Sequence, residues 1–245
     1  MQFQKFYMRE KIMKIFKYFI LVSIIFASLF LAWTYGFTVV EIREIEEILQ
    51  SEAFDEVVFV DNIWENQILS TIHENAVDLA LVLSNMDVDS SGIASKETLV
   101  EVAEEYGLIT VGEAHVYMVK GQGTVLAVNT SSSIGTIQIG LDGYDGSEQV
   151  LIFVGPRIPS DNSAIRDSVG FITFGDFREQ TQYGKVASEM NRRVITDVLE
   201  PLDVENLQSK TIYFEGAFAI RTFNLINIDL SKINIVPVNI EGLEQ

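Results

Sequence analysis

The sequence predicts an α+β protein that begins with a membrane-spanning helix, and three observations carry that reading. Residues Tyr18 to Val40 contain no Asp, Glu, Lys or Arg. From Glu41 to about Tyr106 apolar residues recur with the helical period of about 3.6, and from Ala114 onward the period falls to about 2. The chain divides accordingly into a basic tail (1–17), an anchor (18–40), a helical subdomain (41–112) and a β-rich domain with an inserted loop and helix (113–245).

The apolar run comes first in the chain. At a rise of ~1.5 Å per residue it spans roughly 34 Å, enough for the ~30 Å hydrocarbon core of a bilayer. Lys5, Arg9, Lys11, Lys14 and Lys17 precede it against one acid, Glu10, so the positive-inside rule keeps the N-terminus in the cytoplasm and exports the chain beyond Val40. Trp33 and Tyr35 suit an outer interfacial belt. A cleaved signal peptide is the alternative, but the run exceeds a usual apolar core and Phe30 is too bulky for the cleavage motif. The expected location is therefore the cell membrane, single-pass, with the C-terminal part outside.

In the helical part, Trp64, Ile68, Ile72, Ala76 and Ala80 recur every four residues and predict one amphipathic helix. A second spans about Lys96 to Tyr106, with Ser95 as N-cap, Leu99, Val102, Ala103 and Tyr106 on one face, and Gly107 as its stop. Strands are expected at His115 to Lys120, Thr124 to Thr130, Thr136 to Leu141 and Gln149 to Val154, separated by Gly121–Gly123, Ser131–Gly135 and the Asp142–Gly146 turn. After Pro156 and Pro159, the spacing of Tyr183, Val186, Ala187, Met190, Val194 and Val198 predicts a helix ended by Pro201. Two closing strands, Thr211 to Ile220 and Ile233 to Ile240, with Gly216 at a bend, complete the pattern of an OB-like antiparallel β-barrel; a flat sheet with helices on one face is the competitor.

Composition narrows the function. The chain carries 17 basic and 35 acidic residues; without the five basic and one acidic residues of the first forty, 12 stand against 34, a net −22 for the exported part. Such a surface excludes nucleic acid as a partner, because phosphate affinity rests on clustered Lys and Arg. The absence of cysteine excludes disulfides, thiolate metal sites and Cys nucleophiles.

Motif-level chemistry is sparse. Asp87-x-Asp89-x-Ser91-Gly92 matches the first half of a calcium loop, but the position of the bidentate Glu is Thr98, with Glu97 one residue early. That stretch, like Asp142-Gly143-Tyr144-Asp145-Gly146, fits a turn better. His73 and Glu74 lack the second histidine of a zinc helix, the residue there being Val77, and His115 stands apart. No nucleophile elbow or phosphate loop is present, and Gly121-Gln122-Gly123 lacks the rest of a dinucleotide fingerprint, so neither metal nor cofactor is expected.

One segment concentrates chemistry. Between Gly155 and Asn191 lie Arg157, Arg166, Asp167, Asp176, Arg178, Gln180 and Asn191 around Phe171, Phe174 and Phe177, in a chain otherwise poor in Arg. Guanidinium, amide and aromatic groups together suit a sugar or carboxylate site, which makes Arg157, Arg166, Asp167, Asp176, Gln180 and Asn191 the candidate ligand- or partner-binding residues. The same residues also fit a loop anchored by its rings, with Arg166 paired to a carboxylate.

A set of short strings adds context: Phe54-Asp55, Val60-Asp61-Asn62-Ile63-Trp64, Ala76-Val77-Asp78-Leu79, Gly121-Gln122-Gly123, Gly155-Pro156, Arg166-Asp167, Phe171-Ile172-x-Phe174-x-Asp176-Phe177, Gly216-Ala217-Phe218 and Val236-Pro237-Val238. In this order, over about 40–240, they resemble a family of predicted periplasmic lipoproteins of uncharacterised function. The resemblance implies an OB-like fold and, since members are often encoded beside ribose-type sugar ABC transporters, a sugar ABC transporter or its binding protein as partner. It assigns no catalytic residue. This chain departs from the family in lacking the lipobox Cys, in having only Asp142 and Asp145 in its Asp-Gly turn, and in carrying Gly175 and Glu179 where relatives tend to have Asn. The sequence thus leaves two functions open: a membrane-anchored, non-enzymatic accessory or binding module of sugar uptake, or an extracytoplasmic carboxylate-dependent glycan hydrolase.

Overall fold

Asp55 starts the first described helix: its carboxylate accepts the Val57 and Val58 amides, satisfying donors that the first turn leaves free. The computed structural model describes residues 54–243, and the anchor expected at Tyr18–Val40 lies outside them. No described helix is long and apolar enough to cross a membrane. Residues from Phe54 onward form one compact unit.

Helix α1 (Glu56–Ile63) runs through a π-helical stretch, Trp64–Leu69, into α2 (Ser70–Asn75). Val60, Trp64, Ile68 and Ile72 are all buried. Four-residue steps overshoot an α-helical turn of 3.6 residues, and three of them would rotate the last side chain well off the face. The wider π turn takes up that excess. The single helix expected through Ala80 breaks at Ala76, whose backbone turns extended (ψ 125°). Two competing interactions cause the break. Strand β1 (Val77–Asp78) pairs in parallel with Val119 and Lys120, and the Asp78 carboxylate caps a new helix, α3 (Leu79–Asn85), by accepting the Leu81 amide.

Strand β2 (Ile93–Ser95) leads into α4 (Lys96–Tyr106), capped by Ser95 and ended at Gly107 as its sequence predicts; β3 (Leu108–Ile109) comes next. The two strands expected around Gly121–Gly123 are one, β4 (Ala114–Asn129). These glycines do not turn the chain but let neighbours close in. A Cβ on Gly123 would lie 2.3 Å from the Gly140 carbonyl oxygen, and one on Gly121 2.9 Å from the Phe214 ring. Strand β4 can therefore pair with two partners along its length.

Strands β5 (Thr136–Leu141) and β6 (Gln149–Phe153) continue antiparallel from β4. Helix α5 (Ala164–Ser168) and α6 (Gln180–Arg193), which passes into a second π stretch (Val194–Leu199), precede β7 (Thr211–Arg221), β8 (Asn227–Asp229) and β9 (Lys232–Gly242). Strand β9 pairs in parallel with β6 and antiparallel with β7, and β7 pairs with β4 over Ala114–Thr124, so the pairings lead from β4 through β5, β6, β9 and β7 back to β4. The register shifts between Glu215 and Gly216, where the sequence places a bend. There the Val236 carbonyl would sit 2.3 Å from any Cβ. Among the described residues, strand β8 pairs with β2 alone.

Alternating side chains divide between two cores. Tyr117, Val119, Ile137, Ile152, Phe214, Phe218 and Ile235 pack with Leu79, Leu83, Leu99 and Val102 of α3 and α4. On the other face Ala217, Phe153, Val236 and Val238 meet Val60, Trp64, Ile68 and Ile72, together with Val186, Met190 and Val194 from α6 and its continuation. Helices cover both faces rather than one. Each fully buried Leu, Ile or Phe contributes roughly 1.5–3 kcal/mol of transfer free energy, so both layers hold the sheet in place.

Candidate functional site

Helix α5 is short and begins where Asn162 accepts the Ala164 amide. Its two charged residues are neighbours in sequence and meet in space. The Arg166 Nε donates to Asp167 Oδ1 at 2.8 Å, its Nη2 lies 2.6 Å from the same oxygen, and its Nη1 donates to the Tyr183 carbonyl at 2.8 Å. The guanidinium carbon sits 3.4 Å from the centre of the Tyr183 ring, a cation–π contact with the first turn of α6. Asp167 also accepts the hydroxyls of Ser163 (2.6 Å) and Tyr183 (3.0 Å). Arg166 is buried, as are nine-tenths of the Asp167 side chain. Burial and the Asp167 charge push the Tyr183 phenol up, with Arg166 opposing them.

An aromatic chain leads away from this pair. Tyr183 meets Phe174 edge-on at 5.8 Å and Phe177 at 5.5 Å, and Phe177 packs on Phe54 (5.4 Å) and Phe59 (5.6 Å). The opposite wall is the β3–β4 turn. Leu108 and Ile109 pair with Val116 and His115, and the turn closes through Glu113, which adopts φ 56° and donates its amide to the Thr110 carbonyl. Gly170 brings the walls together, since it holds φ +75° and a Cβ there would lie 2.9 Å from Leu108 Cδ1. Between them lies an open groove of about 760 Å³ with Arg166, Asp167 and Tyr183 at its base and Leu108, Ile109, Val111 and Phe174 on its rim.

The other residues expected at a site lie elsewhere. Asp176 closes a 3₁₀ turn (Phe174–Asp176) by accepting the Thr173 amide and hydroxyl. Asn191 is buried and donates to the Asn162 carbonyl at 2.8 Å, tying α6 to the loop before α5. Arg157 is exposed beyond β6, where its amide meets the Ser133 carbonyl, and Gln180 is exposed at the start of α6. Of the three Phe residues, Phe177 anchors the loop while Phe171 and Phe174 are exposed. Two contributors went unread in the sequence, Tyr183 and the Leu108–Gly112 turn. A charge-free apolar string bracketed by Gly107 and Gly112 was the available signal for the second.

The two Asp-rich turns do come together. Asp87, Asp89, Asp145 and Glu148 line one open hollow of about 440 Å³. Two of the four already serve the turns: Asp89 Oδ1 accepts the amides of Ser91 and Ile93, and Glu148 Oε2 accepts the Tyr144 hydroxyl. Among the described residues no group of three or more His, Asp or Glu side chains is placed to hold a metal ion. His73 bonds the buried Glu215 at 3.0 Å, which also accepts the Tyr213 hydroxyl, while His115 is buried in β4.

Against known proteins, the sequence matches one family model, described as Predicted periplasmic lipoprotein (DUF2291), over residues 27–241. No curated protein matches it. Among solved structures, an OB-fold protein from Thermotoga maritima superposes with a TM-score of 0.57 at 16% identity, covering 78% of this chain and 100% of its own. At that identity the likeness speaks to fold alone: a mixed α+β protein with an OB-fold neighbour.

Proposed function

Since this chain belongs to the DUF2291 family of predicted periplasmic lipoproteins, we propose that it acts outside the cytoplasm as a membrane-tethered, non-enzymatic binding module accessory to sugar ABC transport. With no cysteine among its 245 residues to carry an acyl chain, the tether falls to Tyr18–Val40, N-terminus inside. The cyclic strand pairing supports an OB-like barrel as the scaffold.

The observation that carries a binding role is the groove. Its volume suits a ligand or a partner's loop, and its lining is mainly apolar. Its one carboxyl group, Asp167, is held by Arg166, Ser163 and Tyr183. A glycan hydrolase needs two carboxyl groups facing the scissile bond, and among the described residues no second one lines the groove. An apolar rim around a fixed ion pair favours a protein segment over a free sugar, with the transporter or its binding protein as the occupant. Gly175 lies in the lining with space for a side chain, the nearest atom to a Cβ being 3.8 Å away. A photo-crosslinking residue placed there in the full chain, in native membranes, should capture a transporter subunit or its binding protein. Recovery of neither, together with calorimetry showing no sugar binding, would defeat the reading.

A further inference from the structure

Three loop segments in this acidic chain carry no charge and are rich in exposed large apolar side chains. They are 108–112 (Leu-Ile-Thr-Val-Gly), 170–175 (Gly-Phe-Ile-Thr-Phe-Gly) and 222–228 (Thr-Phe-Asn-Leu-Ile-Asn-Ile). The fold places them side by side. The first two form the walls of the groove, and the third joins the first through Thr222, whose amide and hydroxyl both donate to the Glu113 carbonyl. Of the fourteen large apolar side chains exposed among the described residues, eight stand on these loops: Leu108, Ile109, Val111, Phe171, Phe174, Phe223, Leu225 and Ile226. Ordinary connecting loops are polar, so such a concentration marks a contact surface.

We propose that this end of the molecule is a lipid-contacting face, which dips its three loops into the headgroup–acyl boundary of an uncharged or zwitterionic bilayer surface. Charge decides between lipid types. The loops themselves are neutral, Lys96, Arg221 and Arg166 at their roots are paired with Glu113, Asp161 and Asp167, and Asp176 and Asp229 at two loop ends add negative charge. Nothing there attracts anionic headgroups, and the acidic remainder repels them. Interfacial binding then scales with the buried apolar area, for which aromatic and branched side chains at loop tips are suited. Tether length makes the contact reachable. Residues 41–53 separate the apolar run from Phe54, whose ring packs on Phe177 beside Tyr183 in the groove's aromatic chain. Thirteen residues extend at most about 45 Å. Phe171, Phe223, Leu225 and Ile226 lie outside the groove lining, so these tips can meet lipid whatever segment fills the groove.

The absence of cysteine allows a direct test in the full-length protein. Val111→Cys, Phe223→Cys and Ile226→Cys, each spin-labelled and reconstituted in phosphatidylcholine vesicles, are compared with Leu81→Cys and Leu126→Cys, exposed positions outside the three loops. Collision with oxygen, which concentrates in lipid, is measured against collision with a water-soluble nickel chelate on both sides of the membrane. The oxygen-to-nickel ratio should be at least fivefold higher at the three loop positions, and replacing a fifth of the lipid by an anionic one should not raise it. Equal ratios at loops and controls would overturn the proposal. So would shielding of the loop labels from both reagents, which with spin–spin broadening reports a second copy and without it burial within the chain itself.

Discussion

Arg166 and Asp167 illustrate how little an ion pair says by itself about stability. Two charges removed from water roughly offset their attraction, but removing one partner leaves the other buried and unpaired. Arg166→Met should therefore destabilise the protein by about 3–5 kcal/mol. Arg166→Lys should recover only part of that, because an ammonium lacks the planar fork that meets Asp167 and the Tyr183 ring together. Urea midpoints check both, and a change within about 0.5 kcal/mol for Arg166→Met would mean that the pair is effectively solvated. His115 is the second case. Burial, then the Lys96 charge, hold its pKa below the ordinary value, opposed by the Leu99 backbone and Glu113. Above the unfolded value of about 6.5 both states are neutral and the residue has no effect. As pH falls below it, the unfolded chain takes a proton that the folded chain resists, so stability declines toward acid. His115→Gln should flatten the fall in urea midpoint between pH 7.5 and 5.5. An unchanged slope would show that His115 is free to protonate in the fold.

At the level of elements, two glycines, Gly123 in a strand and Gly184 in a helix, have opposite roles. Gly123 sits in β4 where a Cβ would press on the Gly140 backbone at 2.3 Å, and backbone cannot give way as a side chain can. Gly123→Ala should cost about 1–3 kcal/mol by forcing β4 from β5. Gly184 stands in the second turn of α6 with nothing within 4 Å of its would-be Cβ. Gly184→Ala should stabilise by about 0.5–1 kcal/mol, because alanine loses less backbone entropy on entering a helix. Thermal melts of the two variants should move in opposite directions, and a shared direction would contradict the strand contact or the open helix face.

For the molecule as a whole, the acidic excess invites a calcium-dependent reading, because the fold gathers Asp87, Asp89, Asp145 and Glu148 around one hollow. Asp89 there serves two backbone amides and Glu148 a phenol, calcium needs six or more oxygen ligands, and among the described residues no three such side chains are placed to hold a metal ion. Binding with Kd no tighter than about 1 mM adds at most about 0.4 kcal/mol at ~1 mM ion. Unfolding midpoints in chelator and in ~1 mM calcium should thus nearly coincide. A large upward shift abolished by Asp87→Ala would make the hollow a metal site.

Local physics was legible in the sequence. Caps such as Ser95 act within a turn, the buried stripe of α6 repeats within a few residues, and the bend at Gly216 needs only a missing Cβ, so each is visible without knowledge of any distant contact. The break at Ala76 and the continuity of β4 through Gly121–Gly123 are not. Both depend on partners far along the chain, Val119 and Lys120 for the first, Gly140 and Phe214 for the second. The candidate site divides the same way. The Arg166–Asp167 neighbourhood is visible as composition, yet the groove exists only because sheet pairing sets the Leu108–Gly112 turn opposite Tyr183. The expected membrane anchor, which lies outside the described residues, and the acidic excess are read from composition, which needs no fold. What tertiary structure alone decided is the convergence of three neutral loops on one face, because that requires strands distant in sequence to end side by side.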